Sequence, residues 1–178
     1  MTKSELHPLS LYSFAMKTSL RVVLSVALIV WLGAEAFFPI VAANVFGVLQ
    51  PDTHTAGIIV GQLLRILHGI GLVAGMIALA AISLLAAKNV FHPRRVLLPV
   101  LLLIIMVGLT LFSQFVIIPA MEQDRISAGG DVKAAAISNP ARIDFERLHT
   151  RSEQVEGLIL FLGLGLVILL AKEESTKD

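Results

Sequence analysis

VLLPVLLLIIMVGLTLFSQFVIIPAM, residues 96–121, decides the fold: it carries no charged side chain over its whole length, and its one side-chain amide is Gln114. A helix needs about 20 such residues, at 1.5 Å each, to cross roughly 30 Å of hydrocarbon. Working outward, three more stretches share this character. The expected spans are about 20–46, 56–87, 95–121 and 143–171, with an extracytoplasmic segment at about 122–142. The expected fold is therefore all-α: residues 1–178 form a single transmembrane domain, an integral membrane four-helix bundle.

Composition points the same way. Of 178 residues, 56% are hydrophobic and 15% are charged, against about 25% charged in a soluble domain. Mean hydropathy is +0.85. A water-soluble surface needs more charge than this chain has. The net charge of +1 gives no basic patch for nucleic acid. Without cysteine there is no disulfide framework, thiolate metal site or cysteine nucleophile.

Helix breakers fall between the spans. Gln50-Pro51-Asp52 ends the first connection, Asn89 to Arg95 with Pro93 forms the second, and Gly129-Gly130 splits the third. Asn139-Pro140 reads as a cap followed by a first-turn proline. Asp131 is expected to cap a short helix over Val132–Ile137, and the arm before the first span to hold an interfacial turn around Leu9–Met16. Pro39, Pro99 and Pro119 lie inside spans and predict kinks or end turns.

Lys and Arg set the expected orientation. Lys3, Lys17 and Arg21 lie in the arm or at the start of the first span; Lys88, Arg94 and Arg95 lie in the second connection or at its edge; Lys172 and Lys177 follow the last span. The first connection has no Lys or Arg, and the third balances its Lys and Arg with acids. The positive-inside rule then places both ends in the cytoplasm, in a cell (inner or plasma) membrane. Ala34-Glu35-Ala36 imitates a signal-peptidase site, but the apolar run continues through Val41, which favours an uncleaved span.

Polar residues inside spans are expensive and each needs a partner or a role. They are Glu35 in the first span, Gln62, Arg65 and His68 in the second, Gln114 in the third, and His149, Ser152, Glu153 and Glu156 at the start of the fourth. Counting along antiparallel helices brings all of them into one half of the bundle, with Glu35 roughly 20 Å past Arg21, and Arg65 and His68 roughly 14–18 Å from the start of their span. Gln62, Arg65 and His68 are spaced i, i+3, i+6, and His149, Ser152, Glu153 and Glu156 i, i+3, i+4, i+7. Each set is expected on one helix face.

Two readings stand for each group. Glu35 and Arg65 form a structural ion pair, or Glu35 titrates in a proton or anion site. His68 bonds a neighbouring helix, or ligates haem or a metal. His149 with Glu153 and Glu156 is a solvated helix start, or a His/carboxylate site for a divalent metal. Zinc-protease, Walker, dinucleotide-binding and nucleophile-elbow motifs are absent. Gly57-x-x-x-Gly61 and Gly71-x-x-x-Gly75, with Gly157, Gly163 and Gly165 in span four, predict close helix approach within the bundle or a homo-oligomer contact.

Four elements carry a family resemblance: Phe37-Phe38-Pro39, the run Gly61 to His68, Val116 to Met121, and Phe145-x-x-Leu148-His149-x-x-Ser152. Over about residues 30–165 the chain resembles the transmembrane-protein-205-like family, a membrane domain of unknown function. That family commonly places Asn where this chain has Glu156. The resemblance implies a four-helix membrane protein with no established reaction. More remotely, the bundle is similar to copper-resistance-D-like proteins and haem-binding protoporphyrinogen oxidases. The functional readings are a non-enzymatic membrane protein with a polar Glu/Arg/His cluster, a haem- or metal-binding redox protein, or a component of a small-solute or metal transporter.

Overall fold

The computed structural model describes residues 7–88, 90 and 93–175. Their helices are α1 (His7–Val48), α2 (Thr53–Ala87), α3 (Pro93–Phe112), a π-helical turn (Ser113–Ile117), α4 (Ile118–Ser127) and α5 (Pro140–Ser175). Backbone dihedrals stay helical on both sides of the π turn, so α3, the turn and α4 form one continuous rod. The fold is all-helical, and its four rods are each long and apolar enough to cross a membrane.

The arm before the first span forms no separate turn: from His7 it is continuous with α1. Pro8 occupies the first helical turn, where its missing N–H costs nothing, and no breaker follows before the span. Asp52 caps α2 by accepting from the Thr55 backbone N–H at 2.9 Å. Hydrogen bonding from Thr55 holds the Asp52 carboxyl below the usual carboxylate range. Asn139 caps α5 in the same way, accepting from Ala141 N at 2.9 Å.

Asp131 departs from expectation. Its Oδ1 accepts from Lys133 N at 3.0 Å, yet residues 132–137 form turns and no helix. Tertiary bonds decide this. The Arg142 guanidinium takes the Lys133 and Ala135 carbonyls, and so diverts acceptors that a helix would use internally. Arg125 closes the preceding bend onto the Gly130 carbonyl, at a point where Gly129 and Gly130 have φ of +91° and +94°.

Short connections make successive rods antiparallel. α1 lies beside α2 and α5, and the α3–α4 rod fills the other gap between α2 and α5. α2 and α5 are therefore diagonal partners. The apolar core sits at the end holding the start of α1: Leu24, Leu28 and Trp31 meet Ala78 and Ile82 of α2, Met106 of α3 and Ile159 of α5. The outer faces are as apolar as the inner ones, with Ile29 70% and Phe161 73% exposed. Water would not tolerate so much exposed apolar surface, whereas lipid tails are its natural solvent.

Glycines set the closest helix approach. A Cβ at Gly71 would lie 2.6 Å from Trp31 Nε1, and one at Gly75 would lie 2.8 Å from Trp31 Cζ3 and 2.7 Å from Val107 Cγ2. Gly163 of α5 similarly admits Leu32. The pair Gly71 and Gly75 is thus the seat of the Trp31 indole. Gly57 and Gly61 face open space.

Candidate functional site

The half of the bundle nearer the first and third connections has a polar centre. Its middle is His68 of α2, 0% exposed, one turn before the glycine seat. The ring is held at both nitrogens. Nδ1 lies 3.0 Å from Gln114 Oε1, and Nε2 lies 2.9 Å from Glu156 Oε1. Because α2 and α5 are diagonal, the second bond crosses the bundle axis. Ser113 Oγ donates to the same Glu156 oxygen at 2.9 Å. On α1, Glu35 is 4% exposed and accepts from Trp31 Nε1 at 3.2 Å. Its carboxyl lies within electrostatic reach of Glu156 and His68. Every rod therefore contributes a polar side chain to one buried cluster.

The π turn explains how α3 supplies two groups. Pro119 has no N–H to return to the carbonyl four residues earlier, and its ring crowds that carbonyl. One extra residue in the turn relieves the conflict: the Ile118 N–H bonds back five residues to the Ser113 carbonyl. This widened turn carries Ser113 and Gln114 toward Glu156 and His68 together.

The chemistry of the cluster follows from its bonds. Gln114 Oε1 is an acceptor, so Nδ1 of His68 carries a proton. The 2.9 Å contact between Nε2 and Glu156 is a hydrogen bond only with one further proton, held as imidazolium with carboxylate or as imidazole with carboxylic acid. Both arrangements are neutral overall, which is the condition for burying the pair cheaply. Glu156 Oε2 is buried and, among the described residues, has no hydrogen-bond donor. Glu35 supplies a second carboxyl beside the first.

Other expected site residues lie elsewhere. Among the described residues, no ion pair joins Glu35 and Arg65. Arg65 is exposed and within electrostatic reach of Glu122. With Gln114, Pro119 and Glu122 it lines a groove of about 390 Å³ on the outside of the bundle. Gln62 is exposed as well. The i, i+3, i+6 spacing accounts for this: each step falls about 60° short of a full turn, so His68 lies roughly 120° around the helix from Gln62. A three-step stripe winds off a single face.

The α5 set divides similarly. Ser152, 3% exposed, and Glu156 turn inward on the face continued by Ile159. His149 and Glu153 pair with each other at 3.3 Å on the exposed side, and the His149 ring stacks on Phe145 with centroids 6.2 Å apart. His149 and Glu153 therefore do not join His68. Among the described residues, no group of three or more His, Asp or Glu side chains is placed to hold a metal ion. As a ligand to haem or a divalent metal, His68 would have to give up its bond to Gln114 or to Glu156.

Two members of the cluster, Trp31 and Ser113, escape a reading of charges alone. Their sequence signals are positional: Trp31 is four residues before Glu35, and Ser113 adjoins Gln114.

No curated protein and no solved structure matches the chain. The family match carries no assignment to the transmembrane-protein-205-like or copper-resistance-D-like proteins. It begins within α1 ahead of Trp31, runs through the π turn and ends at Arg125, so Glu35, His68 and Gln114 lie inside it and Glu156 beyond it. Covering residues 26–125, more than half of the sequence, it shows that the chain belongs to a family defined by a domain of unknown function, DUF4149.

Proposed function

We propose that this multi-pass membrane protein binds and releases a proton within the membrane, at the His68–Glu156 pair, with Glu35 as a second acceptor. The observation that carries the reading is the fully buried imidazole bonded on one side to an amide and on the other to a carboxyl group. An amide that fixes one ring proton leaves the other nitrogen free to exchange its proton with a single partner. Intramembrane ionisable groups arranged in this way are characteristic of proton relays. Among the described residues, no arginine or lysine is placed against either carboxyl group. Facing His68 are Glu35 from α1, Ser113 and Gln114 from the π turn, and Glu156 from α5.

Infrared difference spectra of the protein in lipid nanodiscs, taken across roughly pH 5–8 where imidazole chemistry operates, test the proposal. A protonated-carboxyl band should change with pH, lose one component in Glu156→Gln and another in Glu35→Gln, and move in His68→Ala. A wild-type spectrum with no pH-dependent carboxyl signal refutes the reading.

The Lys and Arg distribution supports placing both ends and the second connection in the cytoplasm of a cell whose plasma or inner membrane holds the protein. The cluster then lies in the half of the membrane facing away from the cytoplasm. The chain has no cysteine, so a single one introduced at Ala128 gives a clean probe. In intact cells it should react with an impermeant maleimide, and protection until lysis would reverse the orientation.

A further inference from the structure

We propose that the groove between the α3–α4 rod and α5 binds one anionic phospholipid, its phosphate on Arg151 and an acyl chain along Val116 and Leu158. The groove has a volume of about 350 Å³ and is graded in polarity. Arg151 and Gln154 of α5 stand at its mouth, and Leu158 lies about 10 Å deeper than Arg151 by helical rise. The opposite wall is antiparallel, with Ala120 near the mouth and Phe112 at the deep end. Phe112, Val116 and Leu158 are each about half exposed, so this wall is open to the bilayer.

Charge selects the occupant. Arg125, Arg142 and Arg147, at the same end of the molecule, each pair with a carboxylate. Arg151 is exposed and has no acidic partner among the described residues. It stands six residues, about 9 Å, before Gly157, where the uncharged run of α5 begins, which puts it toward the headgroup end of that helix. A guanidinium there gains most from a phosphate, which it can hold through two parallel hydrogen bonds while its stem lies on apolar surface. A polar mouth over an apolar channel, oriented along the membrane normal, matches a phospholipid in head position and in chain direction. Arg151 points away from the face that carries Glu156, so this site is independent of the proton pair.

Native mass spectrometry of the full chain in mild detergent tests the site with phosphatidylglycerol and with phosphatidylcholine of the same acyl chains. One phosphatidylglycerol should be retained with a preference of about fivefold, the equivalent of about 1 kcal/mol for one basic residue at the membrane surface. Arg151→Gln should abolish the preference. Leu158→Trp, which fills the groove and leaves the charge, should reduce retention of both lipids. Arg147→Gln should change neither. Equal retention of the two lipids by the wild type, or a preference that survives Arg151→Gln, overturns the proposal. So does a dimer that Leu158→Trp dissociates, because the groove would then belong to a second copy of the chain.

Discussion

Replacing His68 with Leu should destabilise the folded protein more than replacing His68 and Glu156 with Leu together. The single change removes the partner of a carboxyl group whose Oε2 accepts no bond among the described residues, leaving the Ser113 hydroxyl on Oε1 as the one described donor. It also strands the Gln114 oxygen. Breaking a buried charged pair from one side costs about 3–5 kcal/mol in soluble proteins, whereas replacing both partners with apolar groups is often neutral. Glu156→Leu alone leaves a neutral imidazole lacking one bond, at about 1–3 kcal/mol. Reversible unfolding in mixed micelles of the two single variants and the double variant gives the coupling directly. Strict additivity would mean that His68 and Glu156 do not stabilise one another. Glu35→Gln and Arg65→Leu supply the contrast: with no ion pair between them, their effects should add.

The second large effect lies in the glycine seat. Gly75→Ala places a methyl group against the ring of Trp31 and the Val107 side chain. Trp31 has nowhere to go: it is 0% exposed and its indole N–H is tied to Glu35. Overpacking of this kind costs about 1–3 kcal/mol. Gly71→Ala meets the indole at Nε1 itself and should also disturb the Trp31–Glu35 bond. Gly57→Ala meets nothing within 4 Å and should be neutral or slightly stabilising. Thermal melts rank the three variants. Since Trp31 is the one tryptophan in the chain, its emission should shift in the first two and hold in the third. Equal responses from Gly57 and Gly75 would remove the indole seat as the basis of α1–α2 packing.

The two sites of large effect differ in how far the sequence reveals them. Gly71-x-x-x-Gly75 and Gly57-x-x-x-Gly61 are identical as patterns, and only one is occupied. Spacing alone has no means of separating them, because the occupant, Trp31, comes from another helix. Glu35, His68, Gln114 and Glu156 stand out in the sequence because polar atoms in a bilayer need internal partners. Their pairing does not. A carboxylate and a guanidinium at similar depth suggest Glu35 with Arg65, yet Arg65 lies about 4.5 Å nearer the end of its helix than His68, and its long side chain reaches the surface groove beside Glu122. Helix rotation gives the central position to His68 instead.

By itself the sequence determined the all-helical class, the four apolar rods, the capped start of α5, and the gathering of polar groups in one half of the bundle. Each follows from one-dimensional quantities: the length of an apolar run, the position of a proline or an Asn, the count of residues from a helix end. Tertiary structure alone decided that His68 reaches across the axis to Glu156, that a π turn ahead of Pro119 turns Ser113 and Gln114 inward together, and that His149 and Glu153 stay outside. Those outcomes depend on the rotation of each helix about its own axis. That angle is fixed by how Trp31, Leu32 and the glycines of facing helices fill space, and no single segment carries the information.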